Sequence, residues 1–177
     1  VQNTSAVISN DVSAYSLPNT DNQLAGSADA DTFSALNTDI SQGGKITLKK
    51  NYTYNASSDS SLAAGITIPN GVTEIDGEGN VIIDGNNAAR IFIVNKNQNV
   101  TLKGITFINA KSTGQGGSIL ANGVVHIENC NFLDNTVTGN GAGVFIKGSG
   151  STVTNSYFKG NRAINNGADS VGVGAAL

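Results

Sequence analysis

Short runs of β-branched and aromatic residues alternate along this chain with clusters of Asn, Gly, Ser and Thr. From Val100 and Leu102, through Val125 and Ile127, to Val153, apolar positions fall at every second residue, the period of a strand with one face turned inward. No apolar stretch there is long enough, or helically spaced enough, to predict a helix. The pattern also repeats. Phe107, Phe132 and Phe158 recur at intervals of 25 and 26 residues, and Gly116, Gly141 and Gly167 keep the same intervals, which is the signature of a solenoid. A strand this short cannot bury itself, but coils stacked ~4.8 Å apart can pair their backbones and hide their inward side chains. The predicted fold is therefore an all-β solenoid, a parallel β-helix.

One segment departs from period two. In residues 29–42, Asp31 is placed to cap a helix, and Phe33, Leu36 and Ile40 fall at helical spacing before Gly43-Gly44 ends the run. A short N-terminal capping α-helix is predicted, its three apolar residues forming a lid over the open end of the first coil. Lys45 to Leu48, Ile66 to Ile68, Val72 to Ile75, Val81 to Ile83 and Ile91 to Val94 should build the first coils. The polar stretch Asn51 to Gly65 is expected to bulge as a surface loop able to carry binding contacts. Residues 1–28, rich in Ser, Asn, Asp, Ala and Thr with Pro18, read as a tail or linker, and 29–177 as the β-helix domain. Residues 172–177 resemble an unfinished coil, so the domain is expected to be truncated at that end.

Composition narrows the chemistry. Only 13% of the 177 residues are charged and the formal net charge is −3, which argues against nucleic acid or an anionic membrane as partner. No apolar run approaches the ~20 residues of a spanning helix, so no membrane insertion by this segment is expected. The chain holds no methionine and is read as a processed protein or a piece of a longer one. Cys130 has no second cysteine to pair with; it aligns with Ile105 and Ser156 and is expected to point inward in a stack. His126, between inward Val125 and Ile127, is expected to point outward, with no second histidine to share a metal.

Glu74, Asp76, Glu78 and Asp84 are the candidate catalytic or calcium-binding carboxylates. Two of them, however, stand in Asp76-Gly77 and Asp84-Gly85, and Asp-Gly is a turn former whose carboxylate bonds the local backbone. The basic residues of the regular coils, Arg90, Lys103, Lys147, Lys159 and Arg162, form no constellation with them. No catalytic residue, cofactor or metal site is assigned. Asn129 and Asn155 align at a turn where their amides could ladder between coils, and the three phenylalanines are placed to stack inside. Asn3, Asn51, Asn55 and Asn99 begin glycosylation sequons, which suit an exported protein.

Two short motifs carry a resemblance. Phe-x-x-Asn stands at Phe132-Leu133-Asp134-Asn135 and Phe158-Lys159-Gly160-Asn161, with a departure at Phe107-Ile108-Asn109-Ala110. A Gly-Gly-Ala-Ile-like motif stands at Gly116-Gly117-Ser118-Ile119 and Gly141-Ala142-Gly143-Val144, and is distorted at Gly167-Ala168-Asp169-Ser170-Val171. Both resemble the chlamydial polymorphic outer membrane protein repeat, and the layout is similar to the adhesin-like surface proteins of methanogenic archaea. The run from Ile75 to Gly85 looks like the opening coils of pectin-lyase-like right-handed β-helices. The resemblance implies a right-handed helix and a non-enzymatic, secreted or cell-surface adhesin module that binds carbohydrate or a cell-surface protein. The alternative it implies is a polysaccharide lyase or glycoside hydrolase on the same scaffold. An uncapped C-terminal coil further predicts end-to-end self-association: sizing at several concentrations should give an apparent mass that rises with concentration, and a strict monomer would contradict it.

Overall fold

The period-two alternation becomes strands that pair with their equivalents one coil away. In the computed structural model, which describes residues 8–9 and 29–164, the chain winds as a β-solenoid of about five turns. One coil shows the plan. Its strands Val124–Glu128, Asn131–Leu133, Thr136–Asn140 and Val144–Ile146 each run parallel to an equivalent in the coil before. The first three also pair with the coil after. Stacked, the strands form sheets of ten, four and three strands.

Corners between strands need backbone that most residues resist. Gly104, Asn129 and Asn155 stack at one corner with φ of 60°, 53° and 47°; Asn86, Asn109, Asp134 and Gly160 stack at another with φ of 50°, 49°, 53° and 67°. Asn, Asp and Gly are the residues that visit this left-handed region at least cost, which is why Asn recurs at coil intervals. Asn129 and Asn155 thus serve as turn formers through their backbone conformation. The asparagine ladder lies instead at the fourth position of the Phe-x-x-Asn motif. Asn161 Oδ1 accepts from the Asn135 backbone N–H at 3.1 Å and from its Nδ2 at 2.8 Å, and Asn161 Nδ2 donates to the Phe132 carbonyl. One coil earlier, Asn135 Oδ1 accepts from the Ala110 N–H and from Ser118 Oγ, while its Nδ2 also donates to the Phe107 carbonyl. The ladder ends on the Ala110 backbone, so the departure at Phe107-Ile108-Asn109-Ala110 marks its first rung.

The motif's phenylalanines fill the interior beside this ladder. Phe107 and Phe132 stack with ring centroids 4.9 Å apart, and Phe132 and Phe158 with centroids 4.7 Å apart. Those separations match the ~4.8 Å strand spacing, so backbone pairing alone sets the rings at a favourable stacking distance, worth about 1 kcal/mol per pair beyond burial. The Gly-Gly-Ala-Ile-like motif packs backbone on backbone: a Cβ on Gly117 would overlap the Ala142 carbonyl. Ile119 and Val144 at its end are fully buried.

The cap forms as the apolar spacing predicts, over Phe33–Asp39 with a further 3-10 turn at Ile40–Gln42. Phe33, Leu36 and Ile40 are all fully buried in the core. The N-cap, however, is Thr32, whose Oγ1 accepts from the Ala35 N–H. Asp31 belongs to the strand Asp31–Thr32, which pairs with Tyr52–Thr53, and its carboxylate meets Lys50 Nζ at 2.7 Å. The backbone is already held extended there, so the helix starts later than the side-chain pattern suggests. The expected surface loop is exposed at Asn55, Ala56, Ser57, Ser58, Ser60, Ser61 and Ala64, but it is anchored inward at three points. Tyr52 and Tyr54 are buried, Ser60–Leu62 forms a 3-10 turn, and Asp59 is fully buried.

Asp59 ties this strap to the helix start. Its carboxylate accepts from the N–H groups of Phe33, Ser34 and Asn55 and from Ser34 Oγ, at 2.6 to 3.1 Å. At the other end of the stack, Ile8–Ser9 pairs in parallel with Val153 and Thr154. The rest of the expected tail, the distorted motif at Gly167 and the unfinished coil at 172–177 lie outside the described residues.

Burial would raise the Asp59 carboxyl, but the bonds from Ser34, Asn55 and Phe33 outweigh it and hold the group below the ordinary aspartate value. A depressed folded-state value makes the carboxylate stabilising above about pH 4, and that contribution is lost as pH falls through the folded value. Asp59→Ala strands three backbone donors and is expected to lower unfolding free energy by about 3 kcal/mol at neutral pH. Urea unfolding should show the deficit at pH 7 and a smaller one at pH 3.

Candidate functional site

The four candidate carboxylates cluster near one stretch of the large sheet, and each is engaged locally. Glu74 and Asp76 are outward neighbours two residues apart on the strand Val72–Asp84, in register with Lys45 and Thr47 before and Thr101 and Lys103 after. Glu74 lies 3.5 Å from Lys45 Nζ, and Glu78 lies 2.5 Å from Lys49 Nζ. Asp76 Oδ2 lies 3.2 Å from Lys103 Nζ, while its Oδ1 accepts the Glu78 N–H at 2.7 Å. Asp84 is buried; its Oδ1 accepts the Asn86 N–H at 2.7 Å and Asn109 Nδ2 at 3.2 Å. The bonds of Asp76 and Asp84 to the amide two residues on are the local turns that the Asp-Gly dipeptides predict.

Of the basic residues of the regular coils, Lys103 is the one that pairs with these acids. Hydrogen bonding to Asp76 and that residue's charge raise its pKa, so the group is held as an ammonium, the form that cannot take a proton from a sugar carbon. Its partner in the aligned position of the next coil is Glu128. The exposed pairs contribute little, about 0–1 kcal/mol each.

His126 sits outward between Thr101 and Thr152 in register, its Nδ1 2.8 Å from Thr152 Oγ1. Cys130 lies in the inward stack expected of it, fully buried beside Ile105. Its backbone N–H donates to Ser156 Oγ one coil on. Burial pushes the thiol up to about 12, and its Sγ–H is directed to the carbonyls of Glu128 and Leu102. Among the described residues, no three His, Cys, Asp or Glu side chains come together to hold a metal ion.

Arg90 escapes a reading of the sequence. It is buried, and its Nε, Nη1 and Nη2 donate to the carbonyls of Gly116, Ala64 and Gln115 at 2.7 to 2.8 Å. Burial lowers its pKa, yet the three carbonyls solvate the cation without a carboxylate. Nothing in its neighbourhood of Ala88, Ala89 and Ile91 announces this in the sequence, since the carbonyls it meets come from other coils.

What remains available is the outer surface. On the large sheet, Lys45, Glu74, Thr101, His126 and Thr152 form one outward column and Thr47, Asp76, Lys103, Glu128 and Thr154 the next. On the four-stranded sheet, Ile93, Leu120 and Phe145 align in an apolar column, with Lys147 Nζ 5.6 Å from the Phe145 ring centroid. On the three-stranded sheet, Lys111, Thr136 and Arg162 form one column, Thr113 and Thr138 a second, and Gln115 and Asn140 a third. Of the sequon residues, Asn55 and Asn99 are exposed, Asn51 Oδ1 accepts the Ile82 N–H, and Asn3 lies outside the described residues.

Comparison of the chain with protein-family models, with curated proteins and with solved structures gives no match. No described helix is long and apolar enough to cross a membrane. The Cys130 environment yields a direct check: the native protein should resist alkylation by iodoacetamide at pH 8, and denaturation should release one reactive thiol. Rapid labelling of the native state would contradict the buried, inward stack.

Proposed function

We propose that this chain is a non-enzymatic module of a cell-surface or secreted adhesin, whose solenoid displays ordered polar faces to carbohydrate or to another cell's surface. The observation that carries this reading is the three-stranded sheet, where hydroxyl, amide and cationic side chains stand outward in register. Neighbouring coils repeat such groups every ~4.8 Å, a fixed lattice of donors and acceptors of the kind a polymer of sugar hydroxyls can meet at several points at once. Multipoint contact of this sort gains avidity without any single deep pocket. The resemblance of the Phe-x-x-Asn and glycine motifs to adhesin-like surface proteins points the same way.

The local engagement of Glu74, Asp76, Glu78 and Asp84 also favours a binding role. Acid and base catalysis of glycosidic cleavage needs carboxylates poised toward a substrate, whereas these bond turns and lysines. A glycan array followed by incubation with the bound polysaccharides tests the reading. Retention of particular glycans with chain length unchanged is the expected result. Depolymerised product would overturn it in favour of a lyase or hydrolase.

A further inference from the structure

The net charge of −3 hides two unlike stretches of the stack. Residues 29–85 carry three Lys and Arg against eight acids, a net of −5, while residues 86–164 carry seven against two, a net of +5. From residue 29 onward sequence order is stacking order, so the described coils are acidic toward the capped end and basic later. Several of the early acids are neutralised in place by Lys45, Lys49, Lys50 and Lys103. Of the later cations, Arg90 is spent on carbonyls. Lys96, Lys111, Lys147, Lys159 and Arg162 are exposed, and none forms an ion pair among the described residues.

Two of these five share one face. Lys111 and Arg162 stand in the same outward column of the three-stranded sheet, with Thr136 between them. Two strand spacings put them roughly 10 Å apart, about one Debye length at 0.1 M salt, so they act together on one extended polyanion. Beside them, Thr113 and Thr138 offer hydroxyls and Asn140 an amide. Among the described residues no carboxylate occupies an outward position of this face; the nearest in sequence, Asp134, stands at the corner before Thr136.

We propose that this face of the later coils binds an acidic polysaccharide, its carboxylate or sulfate groups meeting Lys111 and Arg162 and its hydroxyls meeting the threonines and Asn140. The assignment rests on the carbohydrate-binding reading above and specifies both the sugar class and the face. The cations supply attraction and the neutral hydrogen-bonding groups between them supply preference for a sugar over other polyanions.

Affinity electrophoresis of the full chain through gels holding dextran, carboxymethyl dextran, dextran sulfate or double-stranded DNA tests it. Retardation by one or both charged dextrans and not by dextran is expected, weakening as salt rises. Whichever charged dextran retards more identifies the acid group. Lys111→Glu combined with Arg162→Glu should weaken retardation on the order of tenfold or more, while Lys45→Glu with Lys49→Glu, at the acidic end, should leave it unchanged. Equal retardation by dextran would overturn the charge-based assignment and leave carbohydrate binding standing. Equal loss in the Lys45 and Lys49 variant would overturn the assigned face. Equal retardation by DNA would overturn the preference for sugar. Absence of retardation in every gel would overturn the acidic-sugar assignment, and silence on the glycan array as well would take the carbohydrate reading with it.

Discussion

Parallel pairing of each coil's backbone with the next is the interaction on which the rest of the structure depends. It fixes the axial spacing, and because the register is residue for residue over most of the stack, it also fixes which side chains lie above which. The phenyl stack, the asparagine ladder and the outward columns follow from that single periodicity. A one-residue slip would turn the inward phenylalanines outward and place Asn135 where it could not reach the Ala110 amide. The register is therefore specified twice, by apolar burial and by a buried polar network that is satisfied in only one alignment.

Ends and corners are where this logic needs additional chemistry. A coil edge cannot satisfy its own backbone, and the first coils are covered by a helix whose start is secured by Thr32 and Asp59. At the corner after Asp76 the pairing slips against the next coil before resuming at Val81, and the carboxylate of Asp76 holds that excursion through its bond to Glu78. Asp76 and Asp84 thus each hold a turn of the chain through the amide two residues on. The same engagement leaves the outer columns as the surfaces open to a partner.

The repeat interval, the lid residues, the inward Cys130 and the phenyl stack were all legible from spacing, because each depends on position modulo one coil. Features that depend on what lies across a coil were not. Asp59 sits in a Ser-rich stretch with no period, and its partners at Phe33 and Ser34 are far away in sequence; nothing short of the fold joins them. The ladder was half legible: the asparagines of the motif were visible, but the competing pair Asn129 and Asn155 shares the same interval, and only the backbone angles separate a turn former from a rung. The outer faces were legible as polar but not as charged, since whole-chain charge hides its own distribution along the stack.

In repetitive folds stability is shared mainly between adjacent units, each responding to its immediate neighbours. The guanidinium of Arg90 tightens that coupling by joining carbonyls at Ala64 on one side and at Gln115 and Gly116 on the other. Three successive windings thereby share one cation, and losing any of them exposes it to a poorer environment. Under a pulling force the windings joined by Arg90 would be expected to give way in a block, with the windings beyond them released singly.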